Sequence, residues 1–343
     1  MHPPDPVRIA TAMERASLDP SPSRSIPPVA AAVVSWNTRE LLARCLRAMA
    51  PEVQAGRASV WVVDNASTDG SPALVRDEYP WAHLVACEEN LGFGPAVNLV
   101  AQRTQTPWLA IANADTALLP GALARLLQAA SEQPQAGILA PRLILPDGST
   151  QHSAYSFPTL PFTIAFNLGL GSLSRPLAER MLLMGSWDGD RSRWVDWAIG
   201  AFLLVRRSAW EASGGFDPAQ WMYAEDLDLG WRMAAAGWRT WFEASASVSH
   251  HGAAAASLLW GDDRDVRWQR STYAWMLRRR GLAMTRTVAL VNTLGAGTRA
   301  AIWALPARLR DGEWASRERA LRRWTKLHGS NLLASRADLE RHR

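Results

Sequence analysis

The stretch that indicates the fold most directly is TPWLAIANADT, residues 106–116. Its apolar run, residues 108–112, has the length of a strand and is bounded by residues that break regular structure, which is typical of a strand buried on both faces of a parallel sheet. Ligands of open α/β sheets bind outside the carboxyl ends of the strands. Asp115 would lie at that edge, where its carboxylate could hold a divalent cation against a diphosphate. A plain strand-to-helix turn would also explain Asn113 and Asp115.

Strands alternate with helices around this stretch. We predict strands at residues 29–35, 60–63, 83–86, 108–112 and 138–145. The first helix is predicted to begin at Asn37, because Glu40 three residues later completes the pattern of a capping box. The alternation predicts an α/β fold with a mostly parallel sheet. Asp64 follows the second strand as Asp115 follows the fourth, so two carboxylates are expected at one edge of the sheet.

A third group of acids lies in MYAEDLDLGWR, residues 222–232, near a predicted helix start. The helix dipole favours carboxylates at this position, so some of them need no chemical role. Their neighbours are aromatic and apolar, and such surroundings raise the pKa of a carboxylate toward the range of a general base. Both a helix-stabilising and a catalytic role therefore stay open for Glu225, Asp226 and Asp228.

The segment before these acids contains Gly200 and many of the tryptophans. Residues 194–205 are extended and apolar with Gly200 among them, and a glycine within a strand often marks the close approach of another backbone or a ligand. Eight of the 18 tryptophans fall between residues 187 and 241. Aromatic faces stack on sugar rings, although core packing is the commoner role of any single tryptophan.

The composition describes a globular protein. The 343 residues are 48% hydrophobic and 20% charged, which excludes a disordered chain. Cys45 and Cys87 are too few for a disulfide framework, so a reducing, cytoplasmic setting is expected. Residues 1–28 are rich in Pro and Ser and lack the apolar core of a signal peptide, so they are predicted to be a disordered arm. The best candidate for a membrane span, residues 287–298, is too short.

Charge is unevenly distributed along the chain. Residues 258–343 carry 18 Arg and Lys against 8 Asp and Glu, a net charge of +10, so the preceding residues carry −5 of the total of +5. A basic helical region indicates an anionic partner, either a membrane surface or nucleic acid, although a solvated helical face is an equal alternative. The predicted organisation is an arm at residues 1–28, an α/β domain at 29–257 and a basic helical region at 258–343.

Four blocks of the chain resemble the inverting family-2 glycosyltransferases of the GT-A fold. The blocks are VVDNASTDG at residues 62–70, NLGFG at 90–94, NADT at 113–116, and GFD at 215–217 with YAEDLD at 223–228. Their order and spacing look most like the bacterial rhamnosyltransferase-like branch, which builds cell-wall and surface polysaccharides. The resemblance covers roughly residues 29–257 and implies a GT-A sheet flanked by helices.

The resemblance also implies which residues contact the nucleotide sugar. They are expected to be Ser35, Asn37, Asp64, Asn90, Gly92, Asn98, Asn113, Asp115 and Gly200. Ser35 and Asn37 would lie beside the nucleotide, and Asp64 would accept the imide hydrogen of the nucleobase.

The metal site and the catalytic acids follow from the same resemblance. Asp115 would bind the Mg²⁺ or Mn²⁺ that bridges the diphosphate, and His250 matches a family histidine that completes the site. His251 directly follows, so the choice between the two histidines stays open. Asp226 would deprotonate the acceptor hydroxyl, and Glu225 would support it or contact the acceptor.

The implied function is inverting transfer of rhamnose from dTDP-rhamnose to a glycan or polyprenol-linked acceptor. The basic region would contact an anionic membrane surface, with no nucleic acid expected. The protein would then be cytoplasmic and peripheral on the inner face of the plasma membrane.

Two alternatives remain at this point. A nucleotidyltransferase would need a basic, glycine-rich phosphate loop after the first strand, and residues 35–38 instead read SWNT. The other alternative is a non-catalytic sugar- or lipid-binding protein of the same fold. The presence of Asp115 and Asp226 argues against it. The enzymatic prediction requires Asp64, Asp115 and Asp226 to surround one cleft.

Overall fold

The computed structural model describes residues 28–183, 187–220, 222–252, 264–309 and 312–340. Apart from Pro28, the predicted N-terminal arm lies outside these residues. The strands, numbered in chain order, are β1 (Val29–Ser35), β2 (Ala58–Asp64), β3 (His83–Ala86), β4 (Trp108–Asn113), β5 (Thr116–Leu118), β6 (Ala136–Ile144), β7 (Ala154–Tyr155), β8 (Arg193–Val195), β9 (Trp197–Ala198), β10 (Phe202–Arg206) and β11 (Arg239–His250). The helices are α1 (Arg39–Gln54), α2 (Ser71–Glu78), α3 (Phe93–Arg103), α4 (Ala122–Glu132), α5 (Leu160–Asn167), α6 (Leu170–Leu173), α7 (Arg175–Arg180), α8 (Arg207–Ser213), α9 (Glu225–Ala235), α10 (Arg264–Leu309), α11 (Glu313–Leu333) and α12 (Arg336–Glu340).

One large sheet organises the described chain. Its strand order is β3-β2-β1-β4-β10-β6-β11-β5, with β8 paired to β11 as the ninth strand. The pairings make β10 antiparallel to its neighbours β4 and β6, and make β5 and β8 antiparallel to β11. The other six strands run in one direction, which confirms the predicted α/β fold with a mostly parallel sheet.

The central strand β1 aligns the ends of its two neighbours. Its register pairs Ser35 with Asp64 of β2 and Val34 with Asn113 of β4. The carboxyl ends of three parallel strands therefore lie side by side, as the positions of Asp64 and Asp115 in the sequence predicted.

Helices cover both faces of the sheet because β1 and β4 alternate their side chains between two cores. On one face the core includes Val33 of β1 and Leu46 of α1. On the other it includes Ala32 of β1, Val97 of α3 and Leu229 of α9. Helix α9, which carries the acidic cluster, is thus fixed to the sheet by its apolar face.

The first helix begins differently from the prediction. Helix α1 follows Thr38 without a side-chain cap, and the backbone N–H of Arg39 donates instead to Asp69 Oδ2 at 2.8 Å. Asn37 adopts a left-handed conformation (φ 52°), and its Oδ1 accepts from the N–H of Thr68 at 2.8 Å. The capping-box prediction was wrong because the loop after β2, distant in sequence, supplies the carboxylate that caps the helix.

Residues 194–205 form three short strands rather than one extended segment. Strand β8 pairs with β11, whereas β10 lies between β4 and β6. The chain must cross from one part of the sheet to another, so it cannot stay in one strand, and Gly200 lies in the break between β9 and β10.

The C-terminal region is helical, as predicted, and packs on the sheet domain. A third apolar core joins Leu227 of α9 to Trp275 and Met276 of α10. Helix α10 bends at Gly281, where φ is 80°. None of the helices in the described ranges is long and apolar enough to cross a membrane. The predicted boundary at residues 257 and 258 lies outside the described residues.

Candidate active site

Two adjoining cavities open at the carboxyl edge of the sheet. The strand-end cleft is lined by Trp36, Thr38, Asn65, Asn90, Gly92 and Asp115, among others. The aromatic cavity, of about 760 Å³, is lined by Gln151, His152, Tyr155, Trp187, Gly200, Asp226, His250 and Trp268, among others. Phe93, Asn113, Tyr223 and Glu225 line both. A ligand in one cavity can therefore touch a ligand in the other.

Asp115 and Asp226 line different but connected cavities. Asp115 faces the strand-end cleft and Asp226 faces the aromatic cavity. Asp64 lines neither, because it is buried at the end of β2 with 1% of its surface exposed, directly before Asn65 of the cleft wall. The three acids therefore do not surround a single cleft: Asp115 and Asp226 line two adjoining cavities, and Asp64 lies buried behind the wall of the first.

Buried acceptor atoms lie in the wall of the strand-end cleft, at Asn65, and directly behind it, at Asp64. Asp64 Oδ2 accepts from the N–H of Ser67 at 2.9 Å, while Oδ1 has no hydrogen-bond partner within the described chain. Asn65 Nδ2 donates to Gly92 O at 3.2 Å, and Asn65 Oδ1 is buried without a partner in the same part of the chain. A buried acceptor without a donor is costly, so both oxygens suit the N–H groups of a ligand.

The loops around this cleft are tied together by three of the residues predicted to contact the nucleotide. Ser35 Oγ lies 3.2 Å from Thr38 Oγ1, and the Asn37 N–H donates to Ser67 Oγ at 2.9 Å. Asn90 Oδ1 accepts from the N–H of Gly92 at 2.9 Å. Asn90 and Gly92 line the cleft, whereas the side chain of Asn37 is engaged by the neighbouring loop.

Asn98 lies on α3 and contacts the turn before α9 rather than either cavity. Its Nδ2 donates to Phe216 O at 2.9 Å, and its Oδ1 accepts from the N–H of Phe216 at 3.1 Å. Both ends of the amide are therefore used within the fold. This placement gives Asn98 a structural role and does not support the predicted contact with the nucleotide sugar.

His250 and Asp115 face each other from adjacent strand ends. His250 Nε2 lies 3.5 Å from Asp115 Oδ1, and the two residues are 4% and 6% exposed. On the far side of the ring, Nδ1 lies 2.6 Å from Gln151 Oε1. With this oxygen as acceptor, Nδ1 carries the hydrogen and the lone pair of Nε2 points toward Asp115, the arrangement typical of a metal ligand.

The side chain of His251 contacts Arg44 rather than the carboxylate of Asp115. Its Nε2 lies 2.7 Å from Arg44 Nη1, and only its backbone N–H reaches Asp115, donating to the carbonyl oxygen at 3.0 Å. Of the two histidines that the sequence left open, His250 is therefore the one placed to share a cation with Asp115.

The donor set at Asp115 and His250 fits a divalent cation. A separation of 3.5 Å is long for a hydrogen bond and close to the roughly 3 Å between neighbouring ligands of Mg²⁺ or Mn²⁺. Within the described residues, no group of three His, Cys, Asp or Glu side chains could hold a metal. Two protein ligands are enough where substrate phosphates and water complete the shell, as is usual for Mg²⁺.

Asp226 is held by two backbone N–H groups at the start of α9. Its Oδ2 accepts from Gly200 at 3.0 Å and its Oδ1 from Leu227 at 2.8 Å. Tyr223 and Ala224, with φ near 60°, turn the chain sharply into the helix. A Cβ atom on Gly200 would lie 3.4 Å from the Phe93 ring and 3.7 Å from Asp226 Cβ, both ordinary contact distances, so it is the backbone N–H of Gly200 that holds the acid.

The pKa values of the neighbouring acids at the start of α9 shift in opposite directions. Burial raises the pKa of Asp226 to about 6, and burial together with the charge of Asp226 raises the pKa of Glu225 well above its usual value. Burial would also raise the pKa of Asp228, but hydrogen bonds from Arg279 and Arg232 outweigh it and lower that pKa. Asp226 is thus suited to accept a proton, whereas Asp228 is an ion-pair partner.

Sequence reasoning missed the wall of the aromatic cavity. Gln151, His152, Tyr155 and Trp187 come from the irregular segment between β6 and β8, and Trp268 from α10. Tyr155 stacks on buried Trp197 with ring centroids 4.8 Å apart. The tryptophan-rich composition was the available signal, but it did not tell the cavity residue Trp187 from core residues such as Trp197.

Comparisons with known proteins identify the family of the chain. Residues 27–271 match the model of a family described as glycosyltransferase like family 2. The chain is 35% identical over 249 residues to an N-acetylglucosaminyl-diphospho-decaprenol L-rhamnosyltransferase of Mycobacterium tuberculosis, covering 64% of this chain and 80% of the relative. It is 31% identical over 134 residues to the rhamnosyltransferase WbbL of Escherichia coli, covering 38% of this chain and 47% of the relative.

A solved structure shows the same fold. The mannosyltransferase PcManGT of Pyrobaculum calidifontis, in complex with GDP-Man and Mn²⁺, superposes with a TM-score of 0.54 at 18% identity, covering 96% of this chain and 92% of that one. The family match spans more than half of the chain, and both relatives are rhamnosyltransferases. The chain belongs to glycosyltransferase family 2 and has the GT-A fold.

Proposed function

We propose that the protein transfers rhamnose from dTDP-rhamnose, with inversion, to a hydroxyl group of a lipid-linked amino sugar. The observation that carries this proposal is that Asp226 and His250 line one cavity and Asp115 lines the other, in two cavities that meet at Asn113 and Tyr223. One cavity suits a nucleotide diphosphate and the other an acceptor. The mycobacterial relative, an N-acetylglucosaminyl-diphospho-decaprenol L-rhamnosyltransferase, supports the choice of sugar and acceptor.

The donor would occupy the strand-end cleft. Asn65 lines this cleft and Asp64 lies directly behind it, and their unpartnered oxygens would accept N–H groups of a thymine or uracil ring. Asn90 and Gly92 form one wall, and Asp115 lies toward the aromatic cavity. The diphosphate would then point to the boundary between the two cavities.

Asp115 and His250 would hold a divalent cation at that boundary. When bound, Mg²⁺ or Mn²⁺ stabilises the negative charge that develops on a departing diphosphate. Gln151 fixes the ring of His250 through Nδ1, at 2.6 Å. This chain's contribution is therefore to present a carboxylate oxygen and an imidazole nitrogen to the cation in a fixed orientation.

Asp226 would remove the proton from the acceptor hydroxyl. Gly200 and Leu227 hold the carboxylate by their backbone N–H groups, and a pKa of about 6 leaves it ionised at neutral pH but more basic than an exposed aspartate. Burial and the charge of Asp226 raise the pKa of the nearby Tyr155 to about 12, so the phenol stays protonated. A single displacement with the base on the far side of the sugar from the leaving diphosphate inverts the anomeric centre.

The aromatic cavity would hold the acceptor sugar. A volume of about 760 Å³ falls within the usual range for small-molecule sites. Tyr155, Trp187 and Trp268 offer ring faces in its wall, and such faces pack against the apolar side of pyranose rings.

The test is a donor panel on the purified protein with Mn²⁺ present, using dTDP-rhamnose, UDP-N-acetylglucosamine and GDP-mannose and a soluble diphospho-linked amino sugar. We expect transfer from dTDP-rhamnose, with the product's anomeric configuration inverted by NMR. Asp226→Asn should lower kcat by at least about a hundredfold while binding dTDP normally. Glu211→Gln, an exposed acid on α8, is the matched control and should keep full activity.

Three outcomes would count against the proposal. Activity close to wild type in Asp226→Asn removes the assigned base. Release of pyrophosphate from a nucleoside triphosphate would indicate a nucleotidyltransferase. No turnover of any donor, combined with binding of sugars or lipids, would indicate a non-catalytic member of the fold.

A further inference from the structure

Exposed apolar side chains are concentrated on one part of the surface. Nine large hydrophobic residues are exposed within the described chain, and seven of them belong to two segments that touch. One segment, spanning α5 and α6, contributes Ile164, Phe166, Leu168 and Leu173. The other, on α10, contributes Leu290, Leu294 and Ile302. A contiguous exposed patch of this kind marks an interaction site more often than single exposed leucines do.

The residues on α10 form a stripe along one side of the helix. Leu290 and Leu294 are four positions apart, and Ile302 follows eight positions later, so all three lie on one face. They are 43%, 61% and 64% exposed. The opposite face of the same helix, including Val288, Ala289 and Ala296, is buried. The stripe is therefore the outward side of a helix that is otherwise packed against the protein.

Helix α5 lies beside α10 and adds exposed apolar residues to those of the stripe. Asn167 Nδ2 donates to Asn292 Oδ1 at 2.8 Å, and Arg299 Nη2 donates to Asn167 Oδ1 at 3.0 Å. The guanidinium carbon of Arg299 lies 5.5 Å from the centre of the Phe166 ring. Phe166 is thus fixed beside α10, and the two groups of exposed apolar residues form one surface.

A row of basic residues borders the stripe on its other side. Helix α11 packs along α10, with the rings of Trp303 and Trp314 4.6 Å apart. Four of its exposed side chains have the spacing of a single helical face: Arg319, Arg322, Arg323 and Lys326.

The basic row and the apolar stripe each lie on the exposed side of their helix. The inward sides of both helices, including Leu327 of α11 and Ala296 of α10, are buried against the protein. The two helices pack against each other, so these exposed sides belong to neighbouring helices. We call the apolar stripe, the exposed residues of α5 and α6, and the basic row the outer face.

We propose that the outer face docks the protein on an anionic lipid bilayer. The inference rests on the proposed function, because a lipid-linked acceptor must be reached at a membrane surface. Exposed leucines beside a row of cationic side chains are the combination that inserts into the boundary between headgroups and acyl chains. Nucleic acid offers no apolar partner for the stripe, and a second copy of this chain would add like charge near the same basic row.

The outer face and the aromatic cavity are connected through α10. Trp268, near the start of this helix, lines the cavity, whereas Leu290, Leu294 and Ile302 lie beyond the bend at Gly281. The chain from β7 onward provides a second connection between the aromatic cavity and the outer face. Tyr155 of β7 lines the cavity, and Phe166 of α5 belongs to the outer face. Docking through this face would hold the cavity at a fixed position relative to the bilayer.

The test is co-sedimentation of the full chain with vesicles of phosphatidylcholine alone and of phosphatidylcholine mixed with phosphatidylglycerol. We expect binding to the anionic vesicles that weakens as salt is raised. Leu294→Glu should weaken that binding on the order of tenfold or more. Leu119→Glu is the matched control, because Leu119 is 39% exposed next to β5, away from both segments, and should bind like wild type.

Two double variants test how much the basic row contributes to vesicle binding. Arg319→Gln combined with Lys326→Gln should weaken binding to the anionic vesicles on the order of tenfold. Arg76→Gln combined with Arg125→Gln removes the same charge from exposed positions on α2 and α4 and should change nothing.

Two results would overturn the proposal. Equal vesicle binding by Leu294→Glu and Leu119→Glu shows that the outer face is not the docking surface. A wild-type dimer in light scattering that Leu294→Glu converts to monomer, without vesicle binding by either, shows that the face joins two copies of the chain.

Catalysis is measured separately with a soluble acceptor. Retained transfer by Leu294→Glu together with lost vesicle binding supports docking. Absence of any transfer by the wild type contradicts the proposed function while the vesicle result still stands.

Discussion

Arg279 of α10 forms a bidentate ion pair with Asp228 of α9. Its Nε lies 2.6 Å from Asp228 Oδ1 and its Nη2 lies 3.0 Å from Oδ2, while Nη2 also reaches Asp217 Oδ2 at 2.7 Å. Asp228 is fully buried and stands two residues after Asp226. The basic C-terminal region is thus anchored to the helix that carries the candidate base.

Removing this anchor should destabilise the fold. Arg279→Gln leaves a buried carboxylate with one of its two arginine partners, so we expect the free energy of unfolding to fall by about 3 kcal/mol. Urea denaturation followed by circular dichroism measures the change. Arg286→Gln alters an exposed arginine of the same helix and should stay within about 0.5 kcal/mol of wild type. Equal stability of the two variants would show that the Asp228 ion pairs contribute little.

The activity should depend on the ionisation of Asp226. Burial raises its pKa to about 6, and a general base must be deprotonated, so kcat/KM should be constant at higher pH. Below about pH 6 it should fall about tenfold per unit. The measurement is a pH profile from 5 to 8.5 at saturating Mn²⁺, with dTDP binding followed in parallel as a control. A flat profile accompanied by constant binding would contradict the assignment of Asp226.

The affinity for a divalent cation should depend on His250 and not on His251. His250→Ala removes the nitrogen that faces Asp115, so Mn²⁺ binding in the presence of dTDP should weaken on the order of a hundredfold. Gln151→Ala frees the ring of His250 and should weaken it on the order of tenfold. Isothermal titration measures each value. His251→Ala is the control, and a larger effect there than at position 250 would reverse the assignment.

Asn98 should matter for stability rather than for the donor. Asn98→Ala leaves the backbone N–H and C=O of Phe216 without their partners, which costs about 1–3 kcal/mol of folding free energy. The KM for the donor should stay within about twofold of wild type. Gln128→Ala, at an exposed position on α4, is the control for stability. A large rise in donor KM with unchanged stability would restore the predicted contact with the nucleotide sugar.

Local sequence patterns predicted the architecture and the position of the strand-end acids. The apolar run before Asn113 and the ends of β1 and β2 lie where the alternation of strands and helices predicted. This was possible because a buried parallel strand must be apolar along its length, and a polar residue at its end must face the ligand-binding edge. Asp115 could be placed at this edge for the same reason, whereas the role of Asp226, near a helix start, stays a prediction of the family resemblance.

Predictions that depend on a distant partner were less accurate. Asn37 has the type and spacing of a helix cap, yet Asp69 takes that position in space. Asn98 belongs to the family pattern but bonds to Phe216, 118 positions further along the chain. Polar side chains of this kind have several possible partners, and the sequence does not rank them.

The sequence by itself determined that the protein has a mostly parallel α/β sheet with acids at its carboxyl edge, because strand length, apolar runs and chain-breaking residues act over a few neighbouring positions. Only the tertiary structure decided that His250 rather than His251 faces Asp115, that Gly200 holds Asp226, and that residues of an irregular segment and of α10 form the aromatic cavity. These relationships join residues far apart in the chain, and they depend on how strands and helices pack rather than on any local preference.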